Sequence, residues 1–264
     1  MTKIADAFNG KKAFIPFITG GDPDLDTTKE LIIAMQDAGA DLIEIGVPFS
    51  DPLAEGPVIQ EADERALDAG FTTDRLFDMV GSLKGEMRIP LVFMTYINPV
   101  FSYGTDKFLD RCVKAGICGI IVPDVPYEEK DEIAGSCREH GIELVSMIAP
   151  TSKDRIREIA SDAEGFLYCV SSLGVTGVRS EITTDVGAMI ALAKEVTDIP
   201  CAVGFGISTP AQAYEMAKLS DGAIVGSAIV RIIAEHKRDS KRYVYDYVRS
   251  MKEAVDRAYN EQYH

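Results

Sequence analysis

Ala13-Phe-Ile-Pro-Phe-Ile-Thr19-Gly-Gly-Asp-Pro23 is the stretch on which the fold turns: an almost wholly apolar run that ends in two glycines, an aspartate and a proline. A strand apolar on both faces is buried on both faces, the condition of a parallel strand covered by helices. Two architectures meet that condition, an open doubly wound sheet and a closed barrel. The open sheet usually carries a GxGxxG turn after its first strand and an acidic ribose partner further on. Thr19-Gly-Gly-Asp-Pro23 lacks that spacing, and no such acid follows it.

Seven further runs of the same kind follow: Asp41 to Gly46, Ile89 to Thr95, Gly119 to Val122, Glu143 to Ile148, Gly165 to Val170, Cys201 to Phe205 and Gly222 to Val225. Longer stretches with a helical period separate them. Asp24 to Ala38 places Leu31, Ile32, Met35 and Ala38 on one side, and Thr105 to Ala115 does so with Phe108, Leu109, Cys112 and Val113. Eight units in 264 residues is a repeat of about 33 residues, the size of a (β/α)8 barrel. The expectation is an α/β chain forming one TIM-barrel domain over residues 1–264, with additional short helices and a last helix running to about Asn260. The basic cluster Lys237, Arg238, Lys241, Arg242 reads as the solvated start of that helix.

Composition narrows the function. Lys and Arg number 27 against 42 Asp and Glu, a formal charge of -15, so nucleic acid and anionic membrane are unsuitable partners. No stretch reaches the roughly 18 apolar residues of a membrane helix, and the first twelve residues show no secretory h-region. The cysteines, Cys112, Cys118, Cys137, Cys169 and Cys201, form no CxxC pair and sit in strand-like or helix-like segments, as reduced core thiols do. A cytoplasmic protein without a structural metal is expected.

Barrel active sites are built from the loops after the strand C-termini. The loop after the second strand belongs to Glu44-Ile-Gly-Val-Pro-Phe-Ser-Asp-Pro-Leu-Ala-Glu55-Gly-Pro57. Alternation puts Glu44 on the face opposite Ile43 and Ile45. If that face points into the barrel, burial raises the pKa of the carboxyl, which suits a group that gives and takes a proton near neutral pH. A core acid paired with a neighbouring hydroxyl or lysine is the plainer alternative. After the last two strands, Gly206 and Gly226 allow close backbone approach and lead into helices through Ser208 and Ser227. Helix starts there would hold an anion such as phosphate; ordinary turns with serine caps would look similar. Phe17, Ile59, Met94, Ile121, Ile148 and Phe205 lie at or just beyond strand ends, where they would either wall a pocket for a flat ring or simply fill the barrel. Tyr168 on the sixth strand would pack near Glu44.

From about Phe8 to the final helix the sequence resembles the tryptophan synthase α subunit. The resemblance is carried by Pro16-Phe17-Ile-Thr19-Gly-Gly-Asp22-Pro23, the acidic loop, Asp124-Val-Pro126, Gly174-Val-Thr-Gly177, Gly204-Phe-Gly206-Ile-Ser208 and Gly226-Ser-Ala-Ile-Val230. It implies aldol cleavage of indole-3-glycerol phosphate to indole and glyceraldehyde 3-phosphate, with no metal or organic cofactor on this chain. It further implies Glu44 as the acid/base, Glu55 as the carboxylate facing the indole nitrogen, and Thr176 as the lid residue bonded to Glu55, with Tyr168 beside the acid/base. Gly177, Gly206, Gly226 and Ser227 are implied as phosphate ligands, and the apolar set with Tyr96 as the indole pocket. The implied partner is a β subunit in an α-β-β-α heterotetramer, and the acidic loop and lid would lie at that interface. Two positions depart from the family pattern: Glu55 stands where aspartate is usual, and Ser172 where some members have arginine. A displacement of about 1 Å at a reacting centre can cost roughly a hundredfold in rate, so a second expectation is a chain that mainly binds and activates its partner. A third is a different phosphosugar isomerase or epimerase of the same fold.

Overall fold

A computed structural model describes residues 3–170, 186–204 and 206–263. Eight parallel strands close into a barrel in chain order: β1 (Ala13–Thr19), β2 (Ile43–Gly46), β3 (Leu91–Met94), β4 (Ile117–Ile121), β5 (Glu143–Ile148), β6 (Glu164–Val170), β7 (Cys201–Gly204) and β8 (Gly222–Val225). The ring closes by pairing β1 with β8, Ala13 opposite Gly222 and Pro16 opposite Val225. The expected runs Ala13 to Thr19, Glu143 to Ile148 and Gly222 to Val225 match their strands at both ends. Those beginning at Asp41 and Ile89 start two residues early, because the chain pairs only from Ile43 and Leu91.

Alternation divides the apolar residues into two sets. Phe14, Ile18, Ile43, Ile45, Phe93 and Leu167 pack outward beneath the helices. Ile15, Leu42, Val92, Val145, Phe166 and Ile224 fill the interior. Burial on both faces is why the strands read as unbroken apolar runs. The floor of the barrel is plugged by the short 3-10 turn Ile4–Ala7, whose Ile4 is fully buried against the interior set. Gly119 is required there, since a Cβ on it would stand 2.7 Å from Ile4 Cδ1.

The first helix, Leu25–Asp37, is capped by Asp24, which accepts a 2.8 Å bond from Thr27 N. The helix Thr105–Ala115 has the bounds its period predicts, and it stops at Gly116 in the left-handed region. The basic cluster is split: Lys237–Asp239 forms a short 3-10 turn, and the last helix spans Lys241–Tyr263. At the floor Asp41 accepts from Phe14 N (2.8 Å) and pairs with Lys11 (2.6 Å) and with Lys252 of the last helix (2.8 Å). That clamp ties both ends of the chain to the face opposite the strand C-termini, where barrels keep their stabilising contacts. All five cysteines are free and buried. Among the described residues no helix is long and apolar enough to cross a membrane.

Candidate active site

Glu44 sits on β2 between Phe17 of β1 and Val92 of β3. The inward face is its only option, since Ile43 and Ile45 take the outer layer. It is fully buried, and neither carboxylate oxygen has a hydrogen-bond partner among the described residues. Loss of hydration pushes its pKa up to about 8. Among the described residues neither a cation nor a hydroxyl pairs with it.

Tyr168 on β6 points inward as well, registered with Met147 and Ala202. Burial, and next the charge of Glu44, hold its phenol well above the ordinary value. Its ring lies over Gly204, where a Cβ would stand 2.6 Å from Cζ. Position 204 must be glycine for this tyrosine to reach Glu44's side of the barrel.

The ring wall is partly assembled. Phe17, Ile59 and Met94 pack together with Ala62 and Val230, and Ile121 and Tyr168 belong to the interior set below them. Gly46 makes room for this wall, because a Cβ there would stand 2.7 Å from Phe17 Cζ. Ile148 is a correction. It packs in the outer layer beneath the helices, since Val145 takes the interior face of β5 and the period of two turns Ile148 outward. Nearness to a strand end did not reveal that. Tyr96 is buried just after β3, and its hydroxyl accepts a 2.9 Å bond from Ala54 N. Its ring stacks obliquely on Phe49, so one aromatic anchors both ends of the acidic loop.

Glu55 is 7% exposed, and its Oε2 has no conventional donor among the described residues. Its carboxyl meets that of Asp63 in the helix Pro57–Asp68, and burial raises the pKa of both, that of Asp63 to about 9. Asp63 escaped the sequence reading because it lies in the polar-looking run Glu61-Ala-Asp-Glu-Arg65; its place one turn after Ile59 was the available signal. Beside it Arg65 grips Asp22 with two bonds of 2.8 Å.

The last two strand ends differ from expectation in one respect. Ser227 is the first residue of the helix Ser227–His236, whose cap is Gly226 with no side-chain bond, so its terminal N–H groups face the barrel mouth without a serine cap. After β7 the helix is Pro210–Leu219, and its cap is Thr209, bonded to Gln212 N. Ser208 is therefore not a cap; its N–H donates to Gln212 Oε1 at 2.9 Å. Gly206 has φ of 75°, a conformation natural only to glycine. Because β8 neighbours β1, Gly226 lies against Phe17, 3.2 Å from Cδ1 for a built Cβ. The helix start at Gly226 is thus continuous with the apolar wall around Phe17. Thr176, Gly177, Phe205 and Ser172 lie outside the described residues.

A closed barrel with a buried carboxyl unpaired among the described residues, an apolar wall above it and a helix start without a side-chain cap beside that wall, is the architecture of a (β/α)8 enzyme. Comparison with known proteins makes this specific. The tryptophan synthase alpha chain family profile matches residues 4–258. The alpha chain of Lacticaseibacillus casei is 46% identical over 256 residues, covering 97% of this chain and 96% of that one. The crystal structure of the Legionella pneumophila alpha chain superposes with a TM-score of 0.86 at 36% identity, covering 97% and 98%. The tryptophan synthase complex of Pyrococcus furiosus superposes at 0.83 and 34% identity, covering 92% of this chain and 99% of that one. The chain belongs to the tryptophan synthase alpha chain family. It is a lyase that cleaves indole-3-glycerol phosphate to indole and glyceraldehyde 3-phosphate in tryptophan biosynthesis.

Proposed function

We propose that Glu44 is the acid/base of this cleavage and starts each turnover in the protonated state. Below about pH 8 its buried carboxyl is neutral, so it can give its proton to ring C3 of the substrate. The bond from C3 to the glycerol chain then breaks, and its electron pair returns to the ring. The carboxylate left behind takes the proton of the glycerol hydroxyl, whose carbon becomes the aldehyde. A pKa near the working pH serves both halves of that exchange. Tyr168 packs beside the acid/base and limits its freedom. Glu55 faces the ring nitrogen and stabilises the positive charge that protonation at C3 develops there.

Phe17, Ile59, Met94, Tyr96 and Ile121 enclose the ring, and Phe205 completes this set. Gly206, Gly226 and Ser227, together with Gly177, hold the phosphate through backbone N–H groups; Thr176 reaches Glu55 from the lid. Neither a metal nor an organic cofactor has a part in these steps. A tryptophan synthase complex among the structural relatives supports a β-subunit partner, and with it an α-β-β-α assembly in the cytoplasm that receives indole from this barrel.

The observation that carries the reading is the fully buried carboxyl of Glu44 with no partner on either oxygen among the described residues. Its test is indole release by Glu44→Gln, alone and with the β subunit, with substrate binding as a control. Loss of turnover by about two to four orders of magnitude with binding retained is expected. Wild-type turnover in that variant would refute the assignment.

A further inference from the structure

Three acids and one base meet where the acidic loop lands on the helix Pro57–Asp68. Asp22, after β1, is 1% exposed and takes both bonds of Arg65. Arg65 is thereby committed, and its remaining charged neighbours are Glu61 and Glu64 on the same helix. Glu55 and Asp63 are 7% and 4% exposed and face one another. The Phe49 backbone donates to Asp63, while Glu55 Oε2 and Asp63 Oδ2 have no conventional donor among the described residues. Tyr96, packed against the same loop, accepts from Ala54 N through its hydroxyl oxygen and is a further titratable neighbour of both acids. Two buried carboxylates in contact without a cation between them would repel strongly, as carboxyl dyads that share one proton show.

We propose that Asp63 is a positioning residue for the lyase reaction: its carboxyl holds the proton of a hydrogen bond to Glu55 and so keeps the loop carboxylate charged and fixed in direction. The proposal rests on the role given to Glu55 above. Asp63 supplies a neutral donor, so the negative charge of the pair resides on Glu55. An O–H···O⁻ bond of this kind is short and strong, and it opposes the extra freedom of glutamate's added methylene. Burial and the neighbouring charge of Glu55 hold Asp63's pKa at about 9. Above that value the second proton leaves, two like charges face each other, and the loop carboxylate is driven out of position.

The test is the pH dependence of kcat for the lyase reaction in complex with the β subunit, for wild type, Asp63→Asn and Asp63→Ala. Asparagine keeps a neutral N–H donor but cannot titrate. It should retain kcat within about threefold at neutral pH, whereas alanine should lower kcat roughly tenfold to a hundredfold with KM nearly unchanged. On the alkaline side both Glu44 and Asp63 must keep their protons in the wild type. Its log kcat should therefore fall with a slope approaching about -2, and that of Asp63→Asn with a slope of about -1.

Equal alkaline slopes in the two proteins overturn the proposal, as does an alanine variant with wild-type kcat. If alanine prevents folding, the slope of the asparagine variant still decides. Failure of the underlying reading would show separately, as Glu55→Gln turning over at the wild-type rate.

Discussion

Replacing Glu44 by glutamine should make the protein more stable as pH rises, relative to wild type, while destroying its activity. The pKa of Glu44 stands at about 8 in the folded chain against 4.5 for an ordinary glutamate. Between those values the unfolded chain has released the proton and the folded chain has kept it, so folding must take a proton back from solvent. Stability from this group is fully present below 4.5 and is lost as pH rises through the folded value. Between about pH 5 and about pH 8 the loss amounts to roughly 3.5 kcal/mol, a little under the full rate of about 1.4 kcal/mol per pH unit because each state is only partly titrated at its end of the range. Glutamine does not titrate. Its buried amide adds an offset of its own, about 1 to 3 kcal/mol if left unpaired, but that offset does not vary with pH. The quantity to read is therefore the difference between the two proteins as a function of pH, from urea unfolding with equal m-values. Other carboxylates titrate alike in both and cancel. A difference that stays flat from pH 5 to pH 8, within the error of extrapolation, would refute the account of Glu44 as an unpaired acid and with it the protonated start of the reaction.

Gly204→Ala would drive a methyl group into the hydroxyl and ring of Tyr168, and it should destabilise by about 1 to 3 kcal/mol, with Tyr168→Phe restoring only part, because the hydroxyl clash goes and the ring clash stays; thermal unfolding measures it. Gly226→Ala has no backbone strain to overcome but crowds Phe17 and the helix start, so KM for the phosphorylated substrate should rise about tenfold with kcat less affected, and inhibition by inorganic phosphate should weaken in parallel. Asp41→Asn would remove the partner of Lys11 and Lys252 at the floor of the barrel; it should cost about 2 to 3 kcal/mol in urea unfolding and leave the lyase kcat unchanged, since the clamp lies on the face away from the chemistry.

The strands could be read from the sequence because burial on both faces leaves a signal at every residue. Ala13 to Thr19 needs no knowledge of its neighbours to look like a central strand. Glu44 was legible for the converse reason, as a charge inside such a run. What was not legible depends on register or on company. Ile148 and Val145 look alike in sequence, and only the strand's rotation in the closed ring sends one outward and the other inward. Ser208 and Thr209 compete for one cap; Pro210 at the first helical position marks Thr209 as the winner. Asp63 is one acid among several on a helix, and its difference from Glu61 and Glu64 is what it faces. The plug at Ile4 is too short to have a period at all.

The pairing of β1 with β8 joins residues more than two hundred positions apart in the chain, Ala13 with Gly222. A protein made from its N-terminus onward therefore carries the free side of β1 for almost the whole of its synthesis, a row of unanswered amide and carbonyl groups of the kind that invites pairing with strangers. Nothing made before Gly222 can cover it in the native way. The barrel has no rim only once its final strand has emerged, so the last sixth of the chain decides whether the first twenty residues are safe.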